Sequence, residues 1–249
     1  MKKLSKNAII GYPAGIITGI TYGLNPLFAM PLMKNGAATE SILFFRYAFA
    51  VLLLGLFLLL RKQSFRVSGK QIGVLFVLGL LYTSSSIFLF DAYEYIASGL
   101  ATTLVFLYPV LVAIIMVFLK VVPSWPVWLA IAGISNSLLT FYALMVGAIV
   151  FIGKILSSDT AITAGITTGA DWLNLVGLAL LPTIVSTATL AIASRNIGAT
   201  KASVLGVFEP ITAIIVGTLM FGELLTTNII VGISIAMVAV TFMITVTKR

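Results

Sequence analysis

The chain has 249 residues, of which 60% are hydrophobic and only 9% are charged, and its mean hydropathy is +1.17. Soluble domains carry about 25% charged residues because their surface faces water. The composition therefore excludes a large soluble domain and predicts an all-α, polytopic membrane protein with lipid as its solvent. The net charge of +8 raises nucleic-acid binding as an alternative, so the position of each charge matters.

Most of the 15 basic residues lie at alternate boundaries between apolar segments. They are Lys2, Lys3, Lys6, Arg61, Lys62, Arg66, Lys70, Lys120, Arg195, Lys201, Lys248 and Arg249. The remaining boundaries carry Lys34, Lys154 and most of the acidic residues, namely Glu40, Asp91, Glu94, Asp159, Asp171 and Glu223. Basic residues concentrate on the cytoplasmic side of membrane proteins. We therefore expect a multi-pass protein of the cell (plasma or inner) membrane with both termini in the cytoplasm, and no nucleic-acid partner.

The first apolar segment follows a basic N-terminus, as in a signal peptide, but it lacks a cleavage signal and continues past Phe28, so we interpret it as a retained span. A spanning helix needs about 20 mostly apolar residues. On this basis the predicted spans are residues 9–33, 41–60, 71–90, 99–119, 137–156, 172–194, 203–222 and 228–246. The apolar segment 126–134 is too short to cross, and the polar segment 157–171 is predicted to be an external loop.

An internal repeat relates residues 93–115 to residues 194–216 without a gap, and it aligns Pro109 with Pro210. The same alignment places Glu94 on Arg195, so this connection is acidic in the first copy and basic in the second. An inverted-topology repeat has this property, and in many secondary transporters such repeats enclose a site near the membrane midplane. The predicted domains are therefore an N-terminal repeat, 1–134, and a C-terminal repeat, 135–249.

The second copy is shorter than the first, because only the segment 126–134 precedes its span 137–156. A helix of that length reaches about 13.5 Å, against a hydrocarbon core near 30 Å. We therefore expect a chain break between Gly133 and Ser137, where the rest of span five and all of span six are missing, roughly 40–50 residues. The alternative is an eight-span variant with one long helix through Ser135-Asn136-Ser137, but this polar tripeptide is more typical of a boundary.

Four segments together have a characteristic order and spacing. They are FFRYAFAVLLLGL at 44–56, YEYIASGLATTLVFLYPVLVAI at 93–114, SRNIGATKASVLGVFEPITAIIVGTLMFGELL at 194–225 and IIVGISIAMVAVTFMI at 229–244. In these segments the chain resembles EamA-type transporters of the drug/metabolite transporter superfamily. The resemblance implies ten spans in two inverted five-span repeats. One departure is Lys120, which stands where the family often has an acidic residue equivalent to Glu223.

Two charged residues lie within predicted spans, where an ionisable group costs about 2.5–3.5 kcal/mol at a helix centre and usually has a function or a partner. We predict that Arg46 and Glu209 act in gating or coupling. For Arg46 the alternatives are a substrate contact, structural pairing, or a side chain that reaches outward to the membrane surface. For Glu209, which precedes Pro210, the alternative is an ion pair with Arg195 or Lys201.

The repeat also superimposes polar side chains of two spans. The predicted substrate-binding residues are Asn25, Tyr82, Ser85, Ser86, Ser186 and Thr187. Ser85 aligns with Ser186 and Ser86 with Thr187, as a midplane site on a pseudo-two-fold axis requires. The alternative is that these hydroxyls bond to their own backbone or to a neighbouring helix, as Ser and Thr often do in membranes.

An enzyme is not predicted, because the chain has no histidine or cysteine to serve as nucleophile, base or metal ligand. No cofactor is expected, and no glycine-rich phosphate loop is present. The function predicted is a secondary transporter that moves a small organic metabolite, such as an amino acid, by alternating access. The alternatives are a flippase for a lipid-linked substrate and a non-transporting scaffold or receptor. The expected partners are the solute and the bilayer; proton or exchange coupling and the oligomeric state are left open.

Overall fold

The computed structural model describes residues 6–106, 135–158 and 161–227, together with Ile230, Val231, Ser234 and Val238. Every regular element within these residues is helical, which confirms the predicted all-α class. The elements are α1 (Lys6–Gly23), α2 (Asn25–Lys34), α3 (Thr39–Leu60), α4 (Gly69–Tyr95), α5 (Ser98–Val105), α6 (Asn136–Leu156), α7 (Gly169–Leu178), the π-helix π1 (Ala179–Val185), α8 (Ser186–Ile197), α9 (Ala199–Leu205) and α10 (Phe208–Phe221).

Six helical stretches among the described residues are long and apolar enough to cross a membrane, and they coincide with six predicted spans. These stretches are Lys6–Lys34, Thr39–Leu60, Gly69–Tyr95, Asn136–Leu156, Gly169–Ile197 and Lys201–Phe221. The predicted spans 99–119 and 228–246 lie mostly outside the described residues, and so does the segment 126–134.

The predicted boundary at Ser135-Asn136-Ser137 is confirmed, because α6 begins at Asn136 and Ser135 is its N-cap. The Ser135 hydroxyl accepts a hydrogen bond from the Leu138 amide at 3.3 Å, which satisfies one of the amides left free in a first helical turn. Gly133 and Ile134 lie outside the described residues, so the expected chain break between Gly133 and Ser137 stays a prediction.

The chain forms two compact units, and each takes segments from both predicted repeats. Unit 1 comprises Met1–Leu27, Ala92–Val121 and Val185–Arg249, and unit 2 comprises Phe28–Asp91 and Val122–Ile184. The predicted repeats divide the sequence at residue 134, whereas the two units are defined by packing. The units therefore do not test the predicted repeats.

In unit 1, α1 packs against α8, α9 and α10 through a face of small residues. Glycine recurs at every fourth position of α1, and this glycine stripe consists of Gly11, Gly15, Gly19 and Gly23. At Gly23 a side chain would collide with the backbone carbonyl of Glu209, and at Gly19 with backbone atoms of Leu205 and Glu209. Small residues allow such close helix approach in membranes, where van der Waals packing drives association.

In unit 2, α3 packs against α6 and α7, and polar contacts tie both ends of the unit. At one end the Asp171 carboxylate accepts hydrogen bonds from Asn35, from the Thr168 hydroxyl and from the amides of Thr167 and Thr168. Thr168 and Asp171 form a capping box at the start of α7. At the opposite end the Tyr142 hydroxyl donates to the Phe65 carbonyl at 2.6 Å.

Candidate functional site

Arg46 is enclosed within unit 2, with only 1% of its surface exposed. It lies about 10 Å along α3 from Thr39, at a rise of 1.5 Å per residue. Its Nε donates a hydrogen bond to the Thr183 hydroxyl at 2.8 Å. The guanidinium carbon also lies 5.5 Å from the ring centre of Phe90 and 6.0 Å from that of Tyr47. Arg46 thus has structural partners, and its side chain is enclosed by the protein.

The π-helix holds the hydrogen-bond partner of Arg46. Thr183 lies in π1, and its hydroxyl donates to the Leu178 carbonyl at 2.9 Å while its oxygen accepts from Arg46. Pro182 in the same segment has no amide hydrogen, which removes one bond from the helical ladder. Short π segments within α-helices often occur at functional sites. The irregular segment therefore orients a charged group inside the membrane.

Tyr47 is the centre of a polar and aromatic cluster beside Arg46. The Tyr47 and Ser86 hydroxyls share a hydrogen bond of 2.7 Å, and the Tyr82 ring stacks on the Tyr47 ring at 5.8 Å. The Cβ of a residue other than glycine at Gly147 would collide with the Tyr47 ring, so Gly147 provides the space for that ring. The Tyr82 hydroxyl is buried and has no hydrogen-bond partner among the described residues.

Two of the predicted substrate-binding residues, Tyr82 and Ser86, are thus brought together in unit 2 by their contacts with Tyr47. Their neighbour Ser85 is exposed, so it does not share this buried environment. The Ser86 hydroxyl has a side-chain partner on another helix, as the alternative interpretation of these serines expected. A substrate role for these three residues stays a prediction.

The other predicted binding residues belong to unit 1. Asn25 is buried, and its amide nitrogen donates to the Tyr22 carbonyl at 2.9 Å. The Asn25 side-chain oxygen is buried without a hydrogen-bond partner among the described residues. Ser186 is buried at the start of α8, and Thr187 beside it is half-buried. A substrate-binding role for Asn25, Ser186 and Thr187 stays a prediction.

Glu209 lies in the first turn of α10, followed by Pro210, where the glycine stripe brings α1 close. The one ion pair among the described residues joins Lys154 to Glu40, so neither Arg195 nor Lys201 pairs with Glu209. The ion-pair alternative is wrong in this structure. Glu209 is a half-buried carboxylate within a membrane-spanning helix.

Sequence reasoning missed Tyr47 and the glycine stripe. The stripe has a clear signal, because glycine at every fourth position is the sequence pattern of a close membrane-helix contact. Tyr47 has no such signal, since its partners lie on α4 and only the fold brings them together. The sequence shows Thr183 as a polar residue in an apolar span, but it does not show that Thr183 contacts Arg46.

Comparisons with known proteins place the chain in a family. The sequence model of the EamA-like transporter family matches twice, at residues 9–135 and at residues 130–245. Neither a curated protein nor a solved structure matches the chain. The two matches together extend over nearly the whole sequence, and the helices described above are those of a multi-pass membrane protein. The chain therefore belongs to the EamA-like transporter family.

Proposed function

We propose that the protein is a secondary transporter that moves a small organic metabolite across the cell membrane by alternating access. The observation that carries this proposal is the presence of two ionisable side chains, Arg46 and Glu209, within membrane spans of a transporter-family chain, neither of them in an ion pair among the described residues. Ionisable groups in such positions usually mark solute or ion pathways. The proposed activity needs no catalytic residue.

Counterflow in proteoliposomes tests this function directly. Vesicles loaded with an unlabelled metabolite take up the same labelled metabolite only if a carrier exchanges the two. We expect accumulation of at least one solute from a panel of amino acids, organic acids and sugar phosphates. Vesicles without protein are the control. Transfer of a labelled lipid between leaflets without any solute counterflow would instead identify a flippase, and absence of both activities would favour a scaffold.

We further propose that both termini and the basic loop at 61–70 face the cytoplasm, whereas the loop at 157–171 is external. The charge distribution gives the direction, and contacts within unit 2 support the placement of these two loops at opposite ends of the unit. Ser135 hydrogen bonds to Gln63 at 3.2 Å, so the start of α6 lies beside the basic loop. Asn35 hydrogen bonds to Asp171 at 2.9 Å, which joins the two connections at the opposite end.

Single-cysteine labelling tests the orientation cleanly, because the chain has no cysteine. In intact cells we expect a membrane-impermeant thiol reagent to label Thr163→Cys and not Ser64→Cys. Both residues are exposed, so access depends on the membrane side and not on burial. Labelling of Ser64→Cys alone would show the reverse orientation.

Glu209 is proposed to couple transport to protons, because it is an unpaired carboxylate beside a close helix crossing. We expect Glu209→Gln to reduce uptake driven by a pH gradient by roughly tenfold or more, since neutralising a membrane carboxylate removes its proton cycle. Counterflow, which needs no net proton movement, is expected to persist. Glu94→Gln, at an exposed position of α4, is the matched control. Equal loss of uptake and counterflow would argue against coupling.

A further inference from the structure

We propose that unit 2 contains an oxyanion-binding site in which Arg46 and Tyr82 donate hydrogen bonds to a carboxylate or phosphate group of the solute. This inference rests on the proposed transport function, which it narrows to an anionic substrate class. It is carried by two buried hydrogen-bond donors that have no partner among the described residues and that lie around the Tyr47 ring.

The guanidinium of Arg46 is anchored at one nitrogen and has a second nitrogen without a partner. Nε donates to the Thr183 hydroxyl, whereas Nη2 is buried with no hydrogen-bond partner among the described residues. An arginine that merely stabilised the fold would have its donors satisfied, because a buried charged donor without an acceptor is costly. The anchored fork instead presents an edge of the kind that recognises carboxylate and phosphate.

No acidic side chain of the described residues forms an ion pair with Arg46. Of its seven acidic residues, only Asp159 lies outside the described part of the chain, and the sole ion pair among the others is that of Glu40 with Lys154. The rings of Phe90 and Tyr47 face the cation, but an aromatic ring cannot accept the in-plane hydrogen bonds of a guanidinium fork. Among the described residues this buried cation has no counter-charge, and an anionic solute would supply one.

Tyr82 provides a second donor in the cluster around Tyr47. Its ring stacks on the Tyr47 ring, from whose centre the Arg46 guanidinium carbon lies 6.0 Å, and its hydroxyl is buried without a hydrogen-bond partner among the described residues. A neutral hydroxyl and a guanidinium both donate to oxyanions, and in the proposed site one oxyanion accepts from both. A cationic or purely apolar solute would leave both donors unsatisfied, so the pair selects for anions.

The test measures binding to the purified full-length protein in detergent by the shift of its thermal unfolding temperature. Matched probes separate the anion from the rest of the molecule. Benzoate against benzamide and L-leucine against L-leucinamide form the carboxylate arm. Phenyl phosphate against phenol and glucose 6-phosphate against glucose form the phosphate arm. We expect at least one anion to raise the unfolding temperature while its neutral or amidated partner does not.

The variants assign the binding to the two residues. We expect Arg46→Gln to weaken anion binding by roughly ten- to a hundredfold, as loss of a hydrogen bond to a charged group does. Tyr82→Phe keeps the stacked ring and removes an unpaired hydroxyl, so its unfolding temperature should equal or exceed that of the parent, while anion affinity falls several-fold. The controls are Arg66→Gln in an exposed loop and Tyr95→Phe, which is 83% exposed. They should bind as the parent does.

Absence of an anion-specific shift would overturn the site, and so would parental affinity in Arg46→Gln and Tyr82→Phe. If Arg46→Gln does not fold, Tyr82→Phe decides alone. Counterflow with the same probes separates this result from the proposed function. Anion-specific binding without any counterflow would refute transport and keep the site. Counterflow of neutral probes that both variants leave intact would refute the site and keep transport.

Discussion

Unit 1 and unit 2 are packed by different means. In unit 1 the helices approach closely because glycine has no side chain. The glycine stripe lets α1 approach the backbone of Leu205 and Glu209. In unit 2 the helices are joined by contacts between side chains. Tyr47 contacts Ser86 and Tyr82, and Arg46 contacts Thr183. In lipid there is little hydrophobic driving force between helices, and close packing and interhelical hydrogen bonds are the two means that remain.

The surroundings of the two charged residues within membrane spans, Arg46 and Glu209, differ in the same way. Arg46 lies within a network of side chains that fixes its orientation, whereas Glu209 lies at a close backbone crossing and has no ion pair in the described structure. A fixed charge with a donor that has no partner suits recognition of a ligand, and a carboxylate without an ion pair suits a change of protonation. The packing of each unit thus favours the separate roles proposed for them.

The largest expected effect is that of a side chain in the glycine stripe. Gly23→Leu would force its side chain into the Glu209 carbonyl and the Thr212 side chain. We expect a loss of about 3 kcal/mol in the free energy of unfolding, at the upper end of ordinary overpacking, or no folded protein at all. The measurement is thermal unfolding followed by size-exclusion chromatography in detergent.

The matched control is Gly73→Leu in α4, where nothing lies within 4 Å of the added atom. It should be neutral or slightly stabilising, because glycine is a poor helix former. Similar unfolding temperatures for the two variants would show that unit 1 does not depend on the close approach of α1 to its neighbours. The contrast between the two units would then be wrong.

A smaller loss is expected from Asp171→Ala in unit 2. The carboxylate is 2% exposed and accepts four hydrogen bonds, two of them from backbone amides at the start of α7. Removing it leaves these donors without their acceptor, and we expect a lower unfolding temperature, with a smaller decrease than Gly23→Leu produces. Asp91→Ala, at a half-buried position of α4, is the control, and an equal effect there would show that the capping box is unimportant.

The polar network of unit 2 is tested by a double-mutant cycle between Tyr47 and Ser86. Their hydroxyls share a buried bond of 2.7 Å. We expect Tyr47→Phe and Ser86→Ala to be coupled by about 1 kcal/mol, because each single variant leaves the other hydroxyl buried without this partner. Additive losses would mean that the bond contributes nothing and that ring packing alone holds Tyr47.

The smallest effect is expected for a hydroxyl pair that links α1 and α8 in unit 1. Thr18 and Thr189 lie 2.8 Å apart, and each can also donate to a backbone carbonyl of its own helix. Since each hydroxyl has one hydrogen, a bond between them costs one backbone bond. A Thr18→Val, Thr189→Val cycle should therefore give a coupling of about 0.6 kcal/mol or less. A coupling larger than that of Tyr47 with Ser86 would reverse the comparison.

Much of the fold follows from local properties of the sequence. Apolar segments of spanning length predict the helices, because the bilayer sets their length and composition whatever their neighbours are. The boundary at Ser135 is equally local, since a serine before an apolar helix is a strong capping signal. The order of such segments also carries the family resemblance. These properties can be read without knowing which helices are neighbours.

The candidate site could be predicted only in part, because its residues depend on contacts between distant segments. The sequence identifies Arg46 and Glu209 as exceptional, since a charge in an apolar span stands out by itself. Only the tertiary structure pairs Arg46 with Thr183, leaves Glu209 without Arg195 or Lys201, and separates Ser86 from its exposed neighbour Ser85. Hydropathy does not determine which face of a helix contacts which neighbouring helix. Those contacts determine the partners of every polar group.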